Sequence, residues 1–440
     1  MKNRWLLLLS AVALFSSCSV QRSFQKKANA TILADSSLKH AHIGLAVYDP
    51  EAGSYLYQYN SDKYFIPASN IKIVTCFTAM QLLKDSIPGI QYRSGSDGLT
   101  LIPTGDPSFL HPDFKNQPVI DFLKRQPQQL KIVSNSFKTT PFGMGWSWDD
   151  YNEDYQPERS ALPVYGNVVT WVQERDTADS TAGPTIYSIP EVNWKLKFKP
   201  DLTTKKFYVE RAKDANVFNV TEGKEPKASQ QVPFVTNQLE AALELLKDTV
   251  TTEFNLVETD SMVKATGTVY SQPLDSLLKP MMHRSDNFFA EQLLLMASQQ
   301  KLGYFSESEI IDYVLKNNLK ILPQRPRWVD GSGLSRYNLF TPQDFVTILS
   351  QMKKEYDVKR LQAIFPGAGQ GTLSGLYKNA AGSVYAKTGT LSGVVALSGF
   401  VTTSKGKTLI FSFLVNNHRT SASAVRKQFE NFLSEIIAKN

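Results

Sequence analysis

An apolar run from Ile43 to Tyr48 is followed by Asp49-Pro50-Glu51-Ala52-Gly53 and then by Tyr55-Leu56-Tyr57-Gln58-Tyr59. This pattern predicts two strands joined by a turn. Phe65-Ile66-Pro67-Ala68 then leads to Ser69, from which the pattern predicts a helix to about Leu83. Leu99 to Ile102 reads as a short strand. From there to about Ser271 the texture is one of short β-like runs, such as Thr185–Ile189 and Lys206–Val209, separated by turns and charges. One helix stands out in that region, Val235 to Lys247, with apolar residues at helical spacing. Leu274 to Gln300 is predicted helical. A further helix opens with Thr341 as N-cap, Pro342 as first residue and Asp344 at the third position, and continues to Met352. The chain closes with strands over Ser383–Thr388, Val394–Thr402 and Thr408–Asn416, the last two joined by a hairpin at Ser404-Lys405-Gly406-Lys407. Ser421 to Ala438 follows as an amphipathic helix that sets Val425, Phe429, Phe432, Leu433 and Ile436 on one face.

The order of these elements predicts an α+β fold. The N-terminal hairpin can join the three C-terminal strands in one antiparallel sheet, with residues 31–98 and 272–440 forming one domain. Residues 99–271 are then an insertion of mostly β structure, read as two subdomains. With 440 residues the chain exceeds one ordinary domain and can bury a large core. The formal charge of +7 is spread without a basic stripe interleaved with aromatics, which argues against nucleic-acid binding.

The N-terminus changes the picture more. Lys2 and Arg4 precede an apolar run from Trp5 to Phe15, and Ser16-Ser17-Cys18 follow. A basic stretch, a short apolar core and small residues describe a secretory signal over residues 1–18. A cysteine directly after the small residues resembles a bacterial lipobox, so Cys18 is the expected lipidation site, with 19–30 as a polar tether. A plain secreted protein is the alternative. Ser19-Val20-Gln21-Arg22 lacks acidic residues, which in such lipoproteins favours a periplasm-facing membrane anchor. Cys76 is the only other cysteine and falls on the predicted Ser69 helix, where a small buried apolar residue suits it.

Three short stretches carry candidate chemistry. Ser69 and Lys72 are three apart, so a helix starting there puts them on one face. A lysine can activate a serine hydroxyl when burial or a neighbouring cation lowers its pKa, and Ile71, Ile73 and Val74 suit such burial. The same spacing recurs at Ser36/Lys39, Ser276/Lys279 and Ser350/Lys353, so it is unspecific alone. Ser285-Asp286-Asn287 sets a hydroxyl and an amide two residues apart, able to relay a proton and hold a substrate amide; a helix N-cap is the alternative. Lys387-Thr388-Gly389-Thr390 ends a strand. It is suited to a substrate carboxylate and to an extended peptide at a sheet edge, or else it is a solvated, lysine-protected edge. His40, His42, His111, His283 and His418 have no metal-ligand spacing, and neither a G-x-S-x-G elbow nor a phosphate loop occurs.

S-x-x-K, S-D-N and K-T-G in this order resemble the penicillin-recognising serine acyltransferases, a group of penicillin-binding proteins and serine β-lactamases. The resemblance is tighter to the class C low-molecular-mass penicillin-binding proteins, the D-alanyl-D-alanine carboxypeptidase/endopeptidase family. It is carried by Gly105-Asp106-Pro107-Ser108, Gly145-Trp146-Ser147-Trp148-Asp149-Asp150, Ser160-Ala161-Leu162-Pro163-Val164 with Asn167, Asp330-Gly331-Ser332-Gly333-Leu334-Ser335-Arg336 and Gly371-Thr372-Leu373. It runs from about Ile43 to the C-terminus and includes the insertion, which β-lactamases lack.

The resemblance implies a transpeptidase-like domain with a five-stranded antiparallel sheet flanked by helices. It implies Ser69 as nucleophile, Lys72 as base, Ser285 as proton shuttle and Asn287 in positioning. It implies that Lys387, Thr388, Gly389 and Thr390 bind the substrate carboxylate and that the N–H groups of Ser69 and Thr390 form an oxyanion hole. By position, Asp150, Tyr155 and Arg336 are candidates for the stem-peptide pocket. The implied partners are peptidoglycan stem peptides and β-lactams, with no cofactor and no metal. A β-lactamase or esterase using the same motifs, or a non-catalytic wall-binding protein, are the competing readings.

Overall fold

The computed structural model describes residues 22–96, 98–126, 129–176, 183–198, 206–247, 249–259 and 263–439. The signal segment and Cys18 lie outside the described residues. Those described form two compact units. One comprises the described residues of 22–77, 278–285 and 314–439; the other comprises those of 78–277 and 286–313.

The first unit is built on a five-stranded antiparallel sheet of β1 (His42–Asp49), β2 (Ser54–Tyr59), β3 (Val384–Leu391), β4 (Val394–Thr402) and β5 (Thr408–Asn416). Its order is β3-β4-β5-β1-β2, so the N-terminal hairpin does join the C-terminal strands. The junction runs from His42 opposite Asn416 to Tyr48 opposite Ile410. Residues 394–401 and 409–416 are buried throughout because both faces of the sheet are covered. On one face Leu45, Val47, Val395, Leu397, Phe411 and Phe413 form a core with Val425, Phe429, Phe432, Leu433 and Ile436 of the closing helix, here Ala422–Lys439. The helix Pro342–Glu355 packs against β1, β4 and β5. Its start has the predicted capping box, with the Asp344 N–H donating to Thr341 Oγ1 at 3.1 Å and the Thr341 N–H to Asp344 Oδ2 at 2.9 Å.

The tether expectation needs correction. Residues 22–28 are helical and continue into a π-helical turn at Asn29–Leu33. Phe24, Ala28 and Ile32 recur every four residues and are fully buried in the core that includes the closing helix. The Lys27 ammonium donates to the Glu435 carbonyl at 3.0 Å. The polarity of 19–30 therefore reflects the outer side of a packed helix over its described part.

The second unit holds a five-stranded sheet with the order Glu253–Val257, Gln129–Val133, Gly98–Pro103, Ser86–Gly95, Gly267–Pro273, and two three-stranded sheets. The predicted strand near Leu99–Ile102 pairs with Ser86–Gly95, so residues upstream of 99 belong here. The helix Asn287–Leu302 adds Leu295 to this unit's core. The helix expected from Val235 starts at Glu240. The backbone before it is otherwise engaged: the N–H groups of Val235 and Thr236 donate to Asn216 and Glu158 at 2.7 and 2.8 Å.

Candidate functional site

Ser69 lies in a 3₁₀ turn, Ala68–Asn70, that runs into α1 (Ile71–Leu82). One turn on, the Lys72 ammonium donates to Ser69 Oγ at 3.1 Å and to the Ser332 carbonyl at 2.7 Å. Lys72 is fully buried, while Ser69 is partly exposed. Residues 71–80 of this helix are buried throughout, and Ile71, Ile73 and Val74 show no exposure.

The turn is held from outside. Ala68 has φ +48°, a left-handed value that a residue with a Cβ adopts at a cost. Gly333 packs on its carbonyl at φ +84°, and a Cβ there would stand 2.0 Å from Ala68 O. The loop bearing Gly333 is organised by Asp330, whose carboxylate accepts from the N–H groups of Gly333 and Ser335 and from the Asn338 amide at 2.7–2.9 Å. Thr75 Oγ1 donates to the Gly331 carbonyl at 2.6 Å, tying this loop to α1. The sequence reading gave Ser332 no role. The available signal was the Asp-Gly-Ser-Gly stretch itself, in which a buried acid gathers backbone N–H groups.

Lys387 lies on the edge strand β3 and is fully buried. Its ammonium donates to Ser285 Oγ at 2.9 Å and to the Thr388 carbonyl at 2.7 Å. Burial, the charge of Lys72 and then that of Arg426 hold its pKa well below the ordinary 10.5. Ser285 adopts φ +62° just after the helix Asp275–His283. Gly389 lies against the nucleophile turn, where a Cβ would stand 2.7 Å from Pro67 O and 3.1 Å from Ser69 N. The Ala386 N–H donates outward to Pro366 O at 3.1 Å. Backbone direction repeats every second residue along a strand, so the N–H of Thr390 also points to the open edge. Beside it, Arg426 of the closing helix donates through Nη2 to Thr390 Oγ1 at 2.6 Å. Behind the turn, Asn70 donates to Ser398 and Ser398 to Ser412 at 2.7 and 2.8 Å.

Ser69, Lys72, Ser285, Lys387, Thr388, Gly389, Thr390 and Arg336 thus all belong to the first unit. Arg336 is exposed and donates to the Ser392 carbonyl, in the turn after β3, at 2.8 Å. Asn287, Asp150 and Tyr155 belong to the second unit and group there with one another. The Asn287 amide donates to the Tyr155 carbonyl at 2.9 Å, and a hydrogen bond to Asp150 adds to burial in raising the Tyr155 pKa. The N-cap alternative holds for Asp286 alone, whose Oδ1 accepts from the Phe289 N–H at 3.0 Å. Cys76 is buried and not disulfide-bonded. A cavity of about 640 Å³ in the first unit, lined by Leu33, His42, Tyr59 and Tyr64 among others, contains none of the candidate residues. The paired hydroxyls and ammonium groups locate the chemistry elsewhere.

The chain matches the D-Ala-D-Ala carboxypeptidase 3 (S13) family over residues 25–436. It is 26% identical to D-alanyl-D-alanine carboxypeptidase DacB of Haemophilus influenzae, over 86% of each chain. It is 27% identical to the D-alanyl-D-alanine carboxypeptidase of Actinomadura sp. (strain R39), over 88% of this chain and 80% of that one. The fold is that of penicillin binding protein 4 (dacB) from Haemophilus influenzae, with a TM-score of 0.72 at 22% identity, over 95% of this chain and 99% of that structure.

Proposed function

This chain belongs to the D-Ala-D-Ala carboxypeptidase 3 (S13) family, and we propose that it is a serine DD-peptidase acting on the D-Ala-D-Ala termini and D-centred cross-links of peptidoglycan. Ser69 Oγ attacks the carbonyl of the penultimate residue as Lys72 takes the hydroxyl proton. The tetrahedral oxyanion is held by the N–H groups of Ser69 and Thr390, a device worth about 10²–10³ in rate per donor. The C–N bond breaks as the proton passes through Ser285 to the leaving amine. Water then adds to the acyl-enzyme and releases Ser69. Penicillin, which mimics the dipeptide, is attacked at the same atom and stays attached. The single observation that carries this reading is the pairing of Lys72 with Ser69 at 3.1 Å in the unit that also pairs Lys387 with Ser285 at 2.9 Å. Asn287 fixes the Tyr155 backbone, and Asp150, Tyr155 and Arg336 are the candidates for contact with the stem-peptide side chain.

The test is incubation of the purified protein with uncross-linked and cross-linked muropeptides, followed by mass analysis. Uncross-linked pentapeptides are expected to lose their terminal D-Ala, and cross-linked dimers to fall to monomers. Unaltered muropeptides would remove the reading.

We also propose that the protein faces the periplasm on a lipid anchor at Cys18, on the strength of the basic, apolar and small-residue segments that precede this cysteine. Radiolabelled palmitate should enter the wild-type chain and not Cys18→Ala. Equal incorporation would exclude this anchor.

A further inference from the structure

A cavity of about 440 Å³ lies within the second unit and contains none of the candidate residues. Its wall includes Trp146, Trp148, Tyr151, Gln156, Glu158 and Lys213. Trp148 is 72% exposed, the most exposed large apolar side chain among the described residues. Its ring stands on a fixed turn, Trp148–Asn152. Asn152 ties that turn to the strand Tyr208–Arg211, donating to the Val209 carbonyl at 3.1 Å and accepting from the Arg211 N–H at 2.8 Å. An open indole held in this way is a preorganised stacking surface. Trp146 differs, since its ring packs on Phe142 and on the Arg159 guanidinium. In the same wall Gln156 is buried, and its Nε2 donates to the Ser147 carbonyl at 2.9 Å. A carbonyl can only accept, so this bond fixes which way the amide faces. The Gln156 Oε1 is then a buried acceptor that no described residue meets, a condition rare in folded proteins. The charges around the cavity balance. Glu158 and Asp214 face Lys213, and both carboxylates act on the buried Arg211. Such a site suits a neutral ring with one apolar face and N–H and O–H donors at its rim.

We propose that this cavity binds an N-acetylated hexosamine of a glycan strand, with the sugar ring stacked on Trp148 and its acetamido N–H donating to Gln156 Oε1. The choice of sugar rests on the DD-peptidase reading above, because the stem peptides of peptidoglycan are borne on such a glycan. The second unit thereby holds the strand that carries the peptide.

Calorimetric titration of the full chain with triacetylchitotriose and with cellotriose tests the site without turnover. The second sugar has hydroxyls where the first has acetamido groups. Triacetylchitotriose is expected to bind the more tightly. Trp148→Ala should weaken its binding by about tenfold or more, as for truncation of an interface tryptophan. Trp148→Tyr should keep part of the affinity, because a ring remains. Gln156→Met should narrow the preference for the acetylated sugar by about three- to tenfold, the worth of one hydrogen bond. A disturbed turn would weaken both sugars alike, so the ratio isolates the acetamido contact. No heat from triacetylchitotriose at millimolar concentration, equal binding by Trp148→Ala, or an unaltered preference in Gln156→Met would overturn the assignment. A protein that trims muropeptides yet binds neither sugar loses this site alone. One that binds triacetylchitotriose and leaves muropeptides untouched loses the DD-peptidase reading and keeps the site.

Discussion

Replacing Ser69 by alanine is expected to abolish covalent labelling by a fluorescent penicillin while the protein stays folded. The chemical half follows from the proposed mechanism, in which the bond to the β-lactam carbonyl is made by the Ser69 oxygen. The structural half follows from how little the hydroxyl supports. Ser69 is partly exposed, and Lys72 keeps its 2.7 Å hydrogen bond to the Ser332 carbonyl when the 3.1 Å contact to Ser69 is gone. The net cost of one such hydrogen bond is about 1 kcal/mol, a shift of roughly 2–4 °C in Tm for a domain of 150–250 residues. Gel fluorescence after incubation with the probe and a thermal melt of both proteins decide the matter. Labelling of the alanine variant equal to that of the wild type would remove Ser69 from the role of nucleophile.

What could be read in the sequence was what depends on local periodicity. The closing helix was legible down to its five core residues, because Val425, Phe429, Phe432, Leu433 and Ile436 repeat at helical spacing. The helix after Thr341 was legible from its capping residues. The sheet order followed from the wish of two separated hairpin-like regions to pair. What escaped was what depends on residues meeting from far apart. Nothing local in Ser332 says that its carbonyl takes the Lys72 ammonium; that contact spans 260 positions and exists because Asp330 folds its loop. Arg426 was equally silent, since on an amphipathic helix it reads as one more solvated charge. Residues 22–28 were misjudged for a related reason. Phe24, Ala28 and Ile32 do have helical spacing, but three apolar positions among polar ones are a faint stripe, and the core they fill is provided by the chain's opposite end.

The candidate chemistry shows the same division. Ser69 and Lys72 were paired correctly by a rule of spacing, yet the rule admits several other serine–lysine pairs. Only the assembly of remote segments separates them, with Gly333 against Ala68 and Gly389 against Ser69 N. Both glycines are required by close backbone approach, which a sequence states only as the letter G.

Replacing Lys387 by methionine should do two things that ordinarily oppose one another: slow acylation by penicillin and make the protein harder to unfold. Methionine keeps most of the volume, so the change removes a charge with little cavity. Acylation is expected to slow by about 10²–10³, as for loss of one preorganised donor, because Ser285 loses the ammonium that orients its hydroxyl at 2.9 Å. Stability moves the other way because burial, Lys72 and Arg426 all disfavour the ammonium form, and its pKa is lowered well below 10.5. Between that lowered value and 10.5 the unfolded chain binds the proton that the folded chain has released, so stability rises with pH across this window. The cost of Lys387 is therefore full below its folded pKa and is relieved as the pH climbs towards 10.5. The melting temperature of Lys387→Met should exceed that of the wild type most at the low-pH end, with the gap narrowing as the pH rises. Stopped-flow acylation and melts of both proteins over this range test the two halves separately. Acylation at the wild-type rate would refute the role given to Lys387. A methionine variant that melts lower than the wild type at every pH would mean that the ammonium, despite its burial, is held more favourably than its neighbours allow.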